Sequence, residues 1–178
     1  SYWGGGTIIS NSSTGIININ GGILTSDDRY SYGIQNYSSG IINVISGKIK
    51  ATYYGISNVS SGKVILGTKG DLKEDNTLNV SKELPEIIAP TGIQNTGIFN
   101  FYDGIIKSTE TAISGSVSEI EEGYEIITSS DETYKEIKYL DKIPVAKIKS
   151  TDEEYYSLQE AIDAVTTEGE TIELLRDI

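Results

Sequence analysis

The side chains best equipped for chemistry lie between residues 27 and 54: Asp27, Asp28 and Arg29, then Tyr30, Tyr32, Tyr37, Tyr53 and Tyr54. Phenol rings offer flat apolar faces with a polar tip, and carboxylates and a guanidinium beside them add hydrogen-bonding groups. Together they suit the hydroxylated ring of a sugar. Tyr30, Tyr37, Tyr53, Asp27, Asp28 and Arg29 are therefore the candidate ligand-binding residues. Tyr32 and Tyr54 stand 22 residues apart, the interval of an internal repeat, so stacking of the tyrosines on one another is the competing reading.

Catalytic chemistry finds less support. The chain has no His, which removes imidazole acid–base catalysis and His metal sites. Cleavage of a polysaccharide needs either acidic groups gathered around calcium with an Arg or Lys base, or a pair of carboxylates at a suitable separation. Near the repeated strands the carboxylates are Asp103, just past a predicted strand, and Asp27 and Asp28 in a loop, and Arg29 is the only arginine before Arg176. The pair Gly21-Gly22 lacks the Asp spacing of a calcium-binding nonapeptide, and Glu119, Glu121 and Glu122 read as a solvated turn. No catalytic residue, metal ligand or cofactor is expected.

The elements that must position these residues come from a phrase written four times: Gly15-Ile16-Ile17-Asn18-Ile19, Gly40-Ile41-Ile42-Asn43-Val44, Gly62-Lys63-Val64-Ile65-Leu66 and Gly97-Ile98-Phe99-Asn100-Phe101. Each follows a second phrase, Ile9-Ser10-Asn11, Ile34-Gln35-Asn36, Ile56-Ser57-Asn58 and Ile93-Gln94-Asn95, whose Asn positions are 25, 22 and 37 residues apart. Periods of this size mark stacked repeats that bury their apolar faces against each other. Positions two apart on a strand share a face, so Ile17, Ile19, Ile42, Val44, Val64, Leu66, Phe99 and Phe101 should point inward. The alternate set, Ile16, Asn18, Ile41, Asn43, Lys63, Ile65, Ile98 and Asn100, should point outward, and Ile16, Ile41 and Ile98 would form an apolar ridge suited to another chain.

A second short strand follows at Gly22-Ile23-Leu24, Gly47-Lys48-Ile49 and Gly104-Ile105-Ile106. A third carries Ile9, Ile34, Ile56, Ile93 and Ile113. Three short strands and three corners per repeat predict an all-β chain whose first part is a parallel β-helix, a β-solenoid, with a C-terminal β-hairpin and one short α-helix. Asn11, Asn36, Asn58 and Asn95 recur at one corner and are expected to form a hydrogen-bonded ladder. Asp27, Asp28 and Arg29 lengthen one loop by three residues, and about fifteen extra residues are expected around 70–90. Insertions of this kind lie on one face, either as a binding surface or as a charged, solvated loop.

The repeat rhythm stops near Ala112-Ile113-Ser114-Gly115. Residues 1–117 are read as repeats, 118–148 as a hairpin and junction, and 149–178 as a helix and strand opening a following module. The hairpin falls on 123–128 and 133–139, a further strand on 144–148, and together they should close the end of the coil. Ser157-Leu158-Gln159-Glu160 has the spacing of a capping box, with Leu158, Ala161, Ile162 and Val165 as the apolar stripe and Gly169 as the stop.

A net charge of −12, with acidic residues crowded after about residue 110, argues against a nucleic-acid partner. No apolar run approaches a membrane span, so no membrane insertion is expected in this segment. Absence of Cys leaves the compartment undetermined by disulfides and is compatible with a bacterial cell surface. Starting at Ser1 and ending in a strand-like phrase, the chain reads as a fragment of something longer.

The phrases Tyr156-Ser157-Leu158-Gln159-Glu160-Ala161-Ile162-Asp163 with Ile172-Glu173-Leu174-Leu175-Arg176-Asp177, and Phe99-Asn100-Phe101-Tyr102-Asp103-Gly104-Ile105-Ile106, carry a resemblance. Ala112-Ile113-Ser114-Gly115 with Glu122-Gly123-Tyr124-Glu125-Ile126 extends it. Together they resemble large repeat-bearing surface proteins of Gram-positive bacteria, particularly clostridia and related gut Firmicutes. The resemblance covers most of the chain and implies secretion, a pectate-lyase-like right-handed parallel β-helix, and a place in an extracellular stalk or adhesin. Host or environmental glycans, or surface proteins, are the partners it implies. It transfers no catalytic residue. A carbohydrate-binding module or a polysaccharide-lyase-like protein is the alternative.

Overall fold

The computed structural model describes residues 5–59, 61–73, 76–78, 83–139, 145–155 and 158–175. Glu74, Asp75, Pro144, Tyr156, the expected capping residue Ser157, Arg176 and Asp177 lie outside the described residues. The chain divides into two compact units, residues 1–140 and 141–178.

The first unit is all-β. Its strands are β1 (Thr7–Asn11), β2 (Ile16–Thr25), β3 (Tyr32–Asn36), β4 (Ile41–Lys50), β5 (Tyr54–Asn58), β6 (Lys63–Leu66), β7 (Glu86–Ile88), β8 (Thr91–Asn95), β9 (Ile98–Phe101), β10 (Ile105–Lys107), β11 (Thr111–Ser114), β12 (Tyr124–Thr128) and β13 (Tyr134–Tyr139). One sheet runs β1-β3-β5-β8-β11, parallel throughout, with Ile9, Ile34, Ile56, Ile93 and Ile113 in register. A second sheet runs β12-β13-β10-β7-β4-β6-β9, with β2 beside β4. Each repeat therefore adds a strand to both sheets, and the apolar columns stack between them.

The inward columns carry the core. Ile42, Val44, Val64, Leu66, Phe99 and Phe101 have no solvent exposure, nor do Ile34, Ile49, Ile56, Ile87, Ile93 and Ile106. β-Branched residues dominate because their stiff side chains suit a pleated surface buried on one face. Phe99 and Phe101 stack with centroids 5.6 Å apart.

The structure corrects the expected strand pattern in several places. Where a corner was expected between the first and second strands, β2 and β4 each run on as one ten-residue strand. The chain bends within them at Gly21, Gly22 and Gly47, whose φ values of 142°, 84° and 97° favour glycine. The second-strand series also has a member that the expected insertion concealed. Glu86-Ile87-Ile88 forms β7, with Ile87 in register between Ile49 and Ile106. The inserted residues therefore lie before β7, between Leu66 and Glu86, and β8 follows directly.

Among its described residues the insertion is anchored at several points, while Lys69, Gly70, Lys73, Asn76 and Thr77 stay exposed. Leu72 is buried in the core and bridges Leu78. The Tyr124 hydroxyl donates to Leu72 O, and the Tyr139 N–H donates to Asn76 Oδ1 at 2.8 Å. Glu119 and Glu121, expected in a free turn, hold it from the other side: Lys69 Nζ meets Glu119 Oε1 at 2.8 Å, and the Gly70 N–H donates to Glu121 Oε2 at 2.7 Å.

Asn100, expected to point outward, is buried. Residues 118–119 add a further backbone layer over β9, with the Phe101 N–H donating to Glu119 O at 2.9 Å. Asn100 Nδ2 then donates to Glu119 Oε2 at 3.0 Å and to the Tyr102 hydroxyl at 2.9 Å. The apolar ridge is interrupted as well, since Ile41 and Ile98 are both in register with Lys63 between them.

The hairpin β12–β13 lies antiparallel against β10, with Ile106 opposite Lys135, and Ile137 joins the core. Within this sheet, Glu86 on β7 is flanked by Lys48 on β4 at 2.6 Å and Lys107 on β10 at 2.7 Å. Burial alone would raise its pKa, but hydrogen bonds and charge from Lys107 and Lys48 outweigh burial and hold the carboxyl below its ordinary value. A depressed folded-state value stabilises above the unfolded pKa and is lost as pH falls through the folded one. Glu86→Gln is therefore expected to destabilise the protein at neutral pH and to shrink the stability difference between neutral pH and the region below about pH 4. Urea midpoints measured across that range check this; a wild-type drop unchanged by the substitution would contradict it.

The second unit contains β14 (Ala146–Ile148), β15 (Glu153–Tyr155), α1 (Leu158–Ala164) and β16 (Ile172–Leu174). β14 lies between β15 and β16, antiparallel to both. Val145, Ala146 and Ala161 make its small core with Tyr155, Leu158 and Ile172. The helix ends at Ala164, short of Gly169, and Ile162 faces solvent at 47% exposure, so the packed stripe is narrower than the sequence pattern.

Candidate binding site

The tyrosines are gathered by the loop between β2 and β3. This loop holds the three extra residues and is pinned to the next repeat by Ser31 and Thr52. The Ser31 N–H donates to Thr52 Oγ1 at 2.9 Å, and the Thr52 N–H donates to Ser31 Oγ at 3.0 Å. Thr52 Oγ1 also donates to Asp28 O, and the Tyr53 N–H donates to Ser31 O at 3.0 Å. Tyr30 is held at φ 61°, a left-handed conformation that bulky residues rarely adopt, and its carbonyl packs so closely on Gly5 that a Cβ there would lie 2.0 Å from the oxygen.

Four rings meet at this corner. Tyr53 lies edge-on to Tyr30 and Tyr32, with centroids 5.9 Å and 5.6 Å away. Tyr32 and Tyr54 are partners in register, 5.3 Å apart, and the Tyr54 hydroxyl donates to the Tyr53 hydroxyl at 3.2 Å. That hydrogen bond, then burial and neighbouring phenols, pushes Tyr54 up to about 12; burial first, then Tyr53 and Tyr37, raises Tyr32. Both phenols stay neutral at physiological pH, so they donate and accept hydrogen bonds rather than carry charge. The Arg29 guanidinium lies 5.0 Å from the Tyr30 ring centroid, within cation–π range.

An open cavity of about 520 Å³ is lined by Gly5, Tyr30, Tyr32 and Tyr53. Of the candidate residues, the structure brings Tyr30 and Tyr53 to this cavity, with Arg29 against Tyr30. Tyr37 is exposed and outside the lining. Asp27 faces Lys50 at 3.8 Å, with both side chains largely in solvent, a pairing of little energetic weight. Asp28 contributes mainly its carbonyl. Tyr32 belongs to the lining as well as to the stack, and Gly5 had no sequence signal.

The Asn candidates occupy another corner. Asn11 Nδ2 donates to Asn36 Oδ1 at 3.2 Å, Asn36 Nδ2 to Asn58 Oδ1 at 2.9 Å, and Asn58 Nδ2 to Asn95 Oδ1 at 2.8 Å. Each also donates to a carbonyl four residues on, at Gly15, Gly40 and Gly62, while Asn95 reaches Gly97 O. All four are buried. The two repeated phrases are thus one device: the Asn of the first bonds the Gly that opens the second.

A second cavity of about 500 Å³ lies along the corners between the sheets, floored by Ala51, Ala89 and Pro90 and flanked by Lys50 and Lys107. No sequence reading marked it. Among the described residues, no three carboxylates gather as a metal site would require, and no helix is long and apolar enough to cross a membrane. No family model, curated protein or solved structure matches the chain.

Proposed function

We propose that the chain is a non-catalytic segment of an extracellular bacterial surface protein, a stalk or adhesin element. In this reading residues 7–114 form a right-handed parallel β-helix. The observation that carries it is the ladder Asn11-Asn36-Asn58-Asn95, because one polar residue placed identically in every repeat serves stacking rather than a reaction. The outward slots support it too: they hold Ile, Asn and Lys, with Glu86 neutralised between two lysines. Incubation with plant and host polysaccharides, followed by reducing ends and unsaturated products, is expected to show no turnover. Turnover abolished by a single substitution would overturn the reading.

A sugar-binding reading is favoured by one observation, the cavity lined by Tyr30, Tyr32 and Tyr53. It predicts glycan-array binding that Tyr53→Ala abolishes and Tyr37→Ala leaves unchanged, with or without calcium. Equal binding by wild type and Tyr53→Ala, or none by either, would exclude the cavity as a sugar site.

A further inference from the structure

The corners that follow β4, β7 and β10 differ in length. Ala51, Thr52 and Tyr53 join β4 to β5, and Ser108, Thr109 and Glu110 join β10 to β11, but only Ala89 and Pro90 join β7 to β8. Both ends of these corners are in register: Ile88 pairs with Lys50 and Lys107, and Thr91 with Tyr54 and Thr111. The middle corner therefore takes a shorter path between the same two sheets and sits back from its neighbours. The cavity of about 500 Å³ is the notch this leaves. Its flanking corners are two strand spacings apart, about 9.5 Å, so the opening is one extended chain wide.

The lining has an apolar floor and walls that offer donors. Ala51 and Ala89 are buried, and Ile88 and Pro90 half-buried, beneath the opening. Thr52 Oγ1 is held by the Ser31 N–H and Asp28 O, and Ser108 Oγ donates to Thr133 O at 2.9 Å. Thr109 is exposed, and neither its N–H nor its hydroxyl has a partner among the described residues. Lys107 Nζ gives one bond to Glu86 at 2.7 Å, and Lys50 Nζ meets the exposed Asp27 at 3.8 Å. Lys48 lies on the same face as Lys50. A neutral sugar would need acceptors for its hydroxyl protons, and this lining has no carboxylate or amide side chain.

We propose that the notch binds an extended acidic segment of a partner protein, with an apolar side chain over Ala89 and Pro90 and carboxylates on either side meeting Lys50 and Lys107. Charge complementarity selects this occupant. The chain's charge of −12 is unevenly spread, and residues 33–109 carry seven lysines against six carboxylates. Three of those lysines, 48, 50 and 107, surround the single carboxylate of Glu86. Glu110, past the far wall, lies toward Tyr54, whose pKa its charge helps to raise. At physiological ionic strength screening acts within about 8 Å, so this local excess of ammonium groups outweighs the acidic residues elsewhere. The notch shares no described lining residue with the tyrosine cavity, and its occupancy is independent of sugar binding there.

Titration of the ¹⁵N-labelled 178-residue protein with the peptide Gly-Glu-Glu-Leu-Glu-Glu-Gly tests this. The expected result is saturable shifts of the Ala51, Ala89 and Thr109 amides, weakened by raising salt from about 0.05 M to about 0.5 M. Replacing every Glu of the peptide by Gln, or its Leu by Gly, is expected to weaken binding. Lys50→Gln/Lys107→Gln is expected to weaken it at least about tenfold with the thermal midpoint little changed. Should that variant fail to fold, Lys50→Gln alone, at a side chain 54% exposed, is expected to weaken it in the same direction. No shift at these amides, equal binding of the Gln peptide, binding that the folded variants leave unchanged, or shifts produced by an acidic oligosaccharide and not by the peptide would each overturn the proposal.

Discussion

Asn58→Ala is expected to lower stability by about 3 kcal/mol, read as a shift in the urea midpoint. Asn58 Nδ2 serves Gly62 O at 3.0 Å, Asn95 Oδ1 at 2.8 Å and Ile98 O at 3.2 Å, while its Oδ1 accepts from Asn36 at 2.9 Å. Truncation removes the partner of several buried groups at once, and Ala brings no replacement. An unmade hydrogen bond in a dry interior costs more than a made one contributes. A comparison with an Asn pair of the second sheet isolates the effect. Asn43 Nδ2 donates to Asn18 Oδ1 at 2.7 Å on the outer face, where water replaces what is lost. Asn18→Ala is therefore expected to cost only about 0.5 kcal/mol. Equal midpoints for Asn58→Ala and Asn18→Ala would remove the ladder as a source of stability.

Gly55→Ala is expected to cost about 3 kcal/mol or more, by overpacking rather than by lost bonding. A Cβ at Gly55 would lie 2.3 Å from Ile87 Cγ2 and 2.5 Å from Gly92 O. The same approach recurs at Gly33 with Ile49, and at Gly92 with Ile106. A column of glycines in the first sheet thus receives a column of isoleucine methyls from the second. The carbonyl belongs to the adjacent strand and moves only if the sheet does. Trimming Ile87 as well, in Gly55→Ala/Ile87→Val, should recover little of the loss, because valine keeps the Cγ2 methyl and the clash with Gly92 O remains. A stable single mutant with a wild-type midpoint would contradict this packing.

The ladder and the inward columns were legible because their spacing is written in the sequence. Asn11, Asn36, Asn58 and Asn95 align with Asn in register, and eight inward positions follow from the alternation that a strand requires. β7 escaped because Glu86-Ile87-Ile88 follows an insertion and lacks the glycine that opens the other second strands. Asn100 matched its repeat slot yet is covered by residues 118–119, a contact that periodicity does not encode. Ile162 fell on the helical stripe, but α1 packs one narrow face on a three-stranded sheet. For the tyrosines, the run of residues was visible. Which rings share a cavity depends on the Ser31–Thr52 clamp, a pairing of two common residues with no signature of its own.

The most direct test of the stacked-repeat account is the register across the longest interval, between β5 and β8. Nuclear Overhauser contacts between backbone protons of Ile56 and Ile93, and of Asn58 and Asn95, should appear in the parallel pattern, with the side-chain amide protons of Asn36 and Asn58 slow to exchange. Contacts at another offset, an antiparallel pattern, or fast-exchanging Asn amides would contradict both the ladder and the scaffold reading that rests on it.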